Sequence, residues 1–236
     1  MHEKPRWGII DLLLVYAGTI FFTLILSQWG KDLFNARMAA QGLHPSDLQI
    51  FLSGFLIQFV VTVSLVLIAV RLRGGSLKSL GLRLARAGSW IRYGLLGGIL
   101  IAIVILLAGL LIQHLHPQLA PQSFEEVLGK ASTPYQFLAL LLVGSVLAPF
   151  AEELFYRGMV YPVFRWHLGR FPGMLVSGLL FGAAHWDLWR AIPLAIGGAF
   201  LCWVYEKSGS ILVSALTHGV WNGLMAVLVY YSVVLG

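Results

Sequence analysis

Seven stretches of apolar residues, separated by short polar segments, organise the chain: 8–29, 48–70, 93–112, 136–163, 172–186, 191–205 and 211–234. A helix needs about 20 such residues to cross roughly 30 Å of hydrocarbon, because each residue advances the axis by about 1.5 Å. The pattern therefore predicts an all-α, polytopic transmembrane helical bundle of about seven spans. The fifth and sixth stretches are short. The fourth is long for one straight crossing, and Pro149 and Pro162 stand where they would kink it. Gly178 and Gly182 form a small-xxx-small pair suited to close helix approach, a spacing repeated by Gly94 and Gly98. No internal repeat or low-complexity tract is visible. The chain divides into 1–130, with N-terminal spans and a basic loop, and 131–236, a second set of spans.

That second region carries ionisable groups where the pattern places hydrocarbon. Glu152, Glu153 and Arg157 interrupt the fourth stretch, His185 ends the fifth, and His218 and Asn222 lie in the seventh. Each charged group at the bilayer centre costs on the order of 2.5 to 3.5 kcal/mol, a cost rarely kept without function. Measured from Arg165, Pro172 and Gly209 as boundaries, Glu153 lies about 18 Å deep, His185 about 20 Å and His218 about 14 Å. The three depths converge.

Composition agrees with the span pattern. Apolar side chains make up 58% of 236 residues and charged ones 11%, outside the range of soluble domains. Trp7, Trp29, Trp90, Tyr135, Trp186, Trp189 and Tyr230 fall near span ends, as amphipathic rings do at headgroup level. The formal charge of +6 does not argue for nucleic acid, because the cations sit in loops between spans. Counting loops from an inside N-terminus puts twelve of the sixteen Lys and Arg on one side, leaving Lys31, Arg37, Lys130 and Arg190 opposite. The positive-inside rule then makes the N-terminus and Gly75 cytoplasmic and Gly236 external. Cys202 is the single cysteine and reads as a small buried hydrophobe, with no disulfide framework. The first apolar run lacks a small-residue cleavage site and reads as a span.

On a helix Glu153 and Arg157 share a face, whereas Glu152 points about 100° away. This suggests a structural ion pair beside an unpaired Glu152, a carboxylate suited to general base and acid work. The competing reading has both acids bridging to loop arginines. His218 and Asn222 also project side by side and could serve as oxyanion donors or as interhelical hydrogen-bond glue. No serine or cysteine stands in a recognised nucleophile setting, and there is no HExxH, so hydrolysis would use an activated water. His2, His44, His114, His116 and His167 lie in loops or at interfaces and receive no role. Glu125 and Glu126 read as part of a solvated loop.

EELFYR, FGAAH and HGVWN, in that order on separate apolar stretches, resemble the EExxxR, FxxxH and HxxxN motifs of the CAAX prenyl endopeptidase type II (CPBP/Abi) family. The resemblance runs from about Val143 to Leu228, and the LGLR at Leu80 to Arg83 resembles an upstream feature of the family. It implies an intramembrane endopeptidase in which Glu152 and His185 activate water, His218 and Asn222 stabilise the oxyanion, and Glu153 and Arg157 support the site. It makes 131–236 the catalytic membrane core of a multi-pass protein, by implication of a bacterial plasma membrane. Lipid and a membrane-associated protein or peptide substrate are the expected partners. Zinc on Glu152, His185 and His218 is the alternative chemistry, since the family is often labelled metallopeptidase. Metal-free catalysis is the expectation, because no two of these ligands have the i, i+4 spacing of helical zinc histidines. The non-enzymatic alternatives are a membrane scaffold or bacteriocin-immunity partner and a proton-coupled transporter. No repeated halves of the kind common in transporters are visible.

Overall fold

The computed structural model describes residues 4–43 and 46–235, which leaves His2, His44 and Gly236 outside it. The described residues form nine helices and no strand: α1 (Ile9–Gly30), α2 (Lys31–Ala39), α3 (Asp47–Leu72), α4 (Ala87–Leu115), α5 (Ser123–Gly129), α6 (Pro134–Leu168), α7 (Arg170–Ala183), α8 (Leu188–Ser208) and α9 (Ile211–Leu235). Six of them, α1, α3, α4, α6, α8 and α9, are long and apolar enough to cross a membrane. The fifth expected span is α7, whose 14 residues reach only about 21 Å. It stops where Trp186, in the left-handed backbone region at φ 54°, turns the chain back beside His185.

Local chemistry sets these boundaries. Ser46 and Gln49 cap α3 reciprocally, Thr133 and Gln136 do the same for α6 with Pro134 in its first turn, and Asp187 caps α8. Gly209, at φ 72°, ends α8 in the conformation that glycine adopts without strain. Within α6 the ladder widens to π turns at Val143–Leu147 and Tyr156–Val160. Each lies just before a proline, Pro149 and Pro162, whose missing N–H leaves a carbonyl of the preceding turn without its usual donor. The two wide turns bracket Ala148–Phe155, the segment that carries both glutamates.

Helices α7 and α8 pack backbone to backbone. A Cβ on Gly182 would lie 2.3 Å from the Ala191 oxygen, and one on Gly178 would lie 2.5 Å from that of Ala195. On the other flank, a Cβ on Gly98 would lie 2.8 Å from the Thr217 oxygen, so α4 closes on α9 by the same device. Helices α1 and α3 reach α6 through aromatic pairs, Tyr16 with Phe155 and Phe59 with Phe150. Leucines and isoleucines along α4, among them Ile103, Leu107 and Leu111, remain exposed, a surface that fits lipid.

Contacts group the loops at two ends. Arg6 donates to the Gly74 oxygen, the Ile211 amide to the Gly81 oxygen, and Arg165, Arg170 and Tyr161 converge on Glu206. At the other end Arg190 bridges Glu125 at 3.5 Å and the Ala120 oxygen at 2.9 Å.

Candidate active site

The site forms where α6 and α9 cross. Glu153 and Arg157, both fully buried, pair at 2.7 Å across one turn, and Arg157 also donates to the Gly198 oxygen of α8 at 2.7 Å. The Phe181 ring lies against the Arg157 guanidinium, 4.9 Å from its centroid. From α9, His218 brings Nδ1 to 3.1 Å from Glu153 Oε1, the oxygen that also accepts from Arg157. Its Nε2 faces Glu152 Oε2 at 3.8 Å, too far for a direct hydrogen bond. Glu152 thus stands apart from the ion pair, with 35% of its side chain exposed against none for Glu153.

Phe181 joins the remaining parts. Its ring touches His185 and His218, with centroids 5.1 and 5.6 Å away, and so spaces the two imidazoles. His185 Nδ1 lies 2.9 Å from the Phe181 oxygen, and no hydrogen bond or ion pair joins this ring to either glutamate. Trp221 stacks on His218 at 5.1 Å. Asn222 turns one amide hydrogen to the Gly144 oxygen in the wide turn of α6, at 3.0 Å, leaving its second hydrogen unassigned. A Cβ on Gly144 would meet Phe124 at 2.6 Å, so α5 covers this turn from the far end.

Of the six residues singled out in the sequence, Glu152, Glu153, Arg157 and His218 form one contact group. His185 joins through Phe181, and Asn222 lies one turn further along α9. Among the described residues Glu153 Oε2 and Arg157 Nε are buried without a hydrogen-bond partner. Sequence reasoning did not single out Gly144, Gly198 or Trp221. Only Phe181 carried a signal, as the first residue of FGAAH, one turn before His185. Just beyond the site Asp187 accepts from the Trp189 and Arg190 amides and from the Arg190 guanidinium. Burial pushes its carboxyl up, but the Arg190 bonds outweigh burial and hold it below the usual carboxylate range.

The alternative zinc set would be Glu152, His185 and His218. Among the described residues no three His, Cys, Asp or Glu side chains are grouped as a metal site requires.

Residues 134–224 match the family model of type II CAAX prenyl endopeptidase Rce1-like proteins. That segment is similar to this family. It contains all six motif residues, and the resemblance read from EELFYR, FGAAH and HGVWN is borne out at the level of the family. UPF0177 protein YaiF of Lactococcus lactis subsp. lactis (strain IL1403) is 32% identical over 107 residues, 44% of this chain and 44% of that protein. The chain thus matches less than half the length of this curated relative. No solved structure matches it. Residues 134–224 are thus similar to a family of prenyl endopeptidases, and the six long apolar helices among the described residues make the chain an integral multi-pass membrane protein.

Proposed function

We propose that the chain is an intramembrane endopeptidase that hydrolyses a peptide bond of a membrane-associated protein or peptide. The observation that carries this reading is His218, buried on α9 with Nδ1 held by Glu153 and Nε2 facing the separate, partly exposed Glu152. One carboxylate is locked and one is free to react.

In the reaction Glu152 accepts a proton from water as the water oxygen attacks the scissile carbonyl carbon. His185 Nδ1–H donates a hydrogen bond to the Phe181 carbonyl, so Nε2 is left as an acceptor that orients the same water. Charge developing on the carbonyl oxygen is met by the free amide hydrogen of Asn222 and by a ring N–H of His218. Glu152 then returns the proton to the departing amine. Glu153 and Arg157 hold His218 in register and do not exchange protons. No step passes through a metal.

The test compares N-termini in membranes of cells expressing the wild type, Glu152→Gln or Asn222→Ala at matched abundance. The wild type should generate new N-termini. Glu152→Gln should cut their formation by about 100-fold or more, and Asn222→Ala by roughly 100 to 1000-fold. Identical N-terminal profiles for wild type and Glu152→Gln would leave a membrane scaffold or immunity partner as the better reading.

A further inference from the structure

Away from this site, the segment before α1 meets the ends of α3 and α6 around an open recess of about 410 Å³, lined by Arg6, Asp11, Arg73 and His167. Among the described residues Asp11 is the one acid in its wall, and both its oxygens are committed. Oδ1 accepts from Arg73 Nε at 2.9 Å, and Oδ2 accepts from the Gly8 amide at 2.9 Å. Arg6 spends a single nitrogen, Nη1, on the Gly74 oxygen at 2.6 Å. Among the described residues the other N–H groups of both guanidiniums meet no acceptor, and neither does the His167 ring. Two guanidiniums against one carboxylate leave surplus positive charge among the described residues. The donors that remain form the fork geometry that fits a tetrahedral oxyanion two hydrogen bonds at a time.

We propose that this recess binds the phosphate of an anionic phospholipid headgroup. The shared chemistry is a phosphate group, and the position argues for lipid as its source. The recess lies at the ends of three membrane-capable helices, and the exposed side chains of Ile9 and Ile10 begin the lipid-facing surface of α1 beside it. Basic pockets between spanning helices recognise lipid headgroups in this way. A headgroup seated there clamps α1, α3 and α6 together at one end of the bundle, independently of any chemistry at Glu152.

The experiment uses the full chain in nanodiscs of phosphatidylcholine with or without phosphatidylglycerol, read by native mass spectrometry for retained lipid and by thermal unfolding. The wild type should retain one phosphatidylglycerol and unfold at a higher temperature when that lipid is present. Arg6→Gln combined with His167→Gln should weaken retention by about tenfold or more and remove the thermal shift. Lys78→Gln combined with Arg86→Gln removes exposed cations elsewhere and should leave both readouts intact. Should the first double variant not fold, Arg6→Gln alone gives the same reading, because Arg6 is exposed. Equal loss in the two double variants would reduce the effect to general surface charge and overturn the proposal. An equal thermal shift from millimolar inorganic phosphate in detergent would overturn the lipid source.

Discussion

Arg157 is the residue on which the buried site depends most. It has no exposed surface, pairs with Glu153, donates to Gly198 and lies over Phe181. Arg157→Ala would leave Glu153 as an uncompensated buried charge, so unfolding in detergent should become easier by about 3 to 5 kcal/mol. Glu152→Gln should cost little, because that side chain is partly exposed and its contact with His218 is long. Equal destabilisation by the two variants would contradict the division between a locked and a free carboxylate. The Glu153–Arg157 pair was legible in the sequence because the i, i+4 relation is local. That Glu153 also takes His218, 65 residues later, was not, since it depends on where α6 and α9 cross. The Gly144 and Gly198 carbonyls were invisible for a related reason: every residue has a carbonyl, and only packing decides which one meets a donor.

At the level of helices, prolines and glycines arrange the site more than intrinsic propensity does. Pro149 and Pro162 were readable as breaks in α6, but their effect, two wide turns bracketing the glutamates, depends on how the ladder shifts around them. Gly178 and Gly182 were readable as a packing pair, whereas their partner had to be seen. It is α8, whose Gly198 completes the contact from the other side, with a Cβ there 2.9 Å from the Gly178 Cα. Because these approaches are to backbone atoms, no rotamer change relieves an added methyl. Gly182→Ala should therefore separate α7 from α8, displace His185 one turn away, and cost about 1 to 3 kcal/mol by overpacking. Gly109→Ala, with nothing within 4 Å of its Cβ position, is the control and should be neutral. Equal thermal stability and turnover for both variants would show that the α7–α8 contact is slack.

For the molecule as a whole, the sequence made the number and order of spans legible because hydrophobic length is a direct consequence of bilayer thickness. The exception was α7, where the apolar run continued through Ala184 and His185 but the backbone turned. Orientation rests on charge. The structure gathers Arg6, Arg73, Arg83, Arg165, Arg170 and Lys207 toward one end, and Arg190 and Lys130 toward the other. Moving the more basic end across an energised membrane is disfavoured, so that end should be cytoplasmic. Single-cysteine labelling in a Cys202→Ala background tests this at two exposed positions, one at each end: Lys78→Cys and Gln118→Cys. An impermeant maleimide should label Gln118→Cys in intact cells and Lys78→Cys only after permeabilisation. The reverse pattern would invert the bundle and put the basic recess at Arg6 in the outer leaflet. Labelling of both from one side would show that α4, which separates the two positions, does not cross, and would break the order of spans.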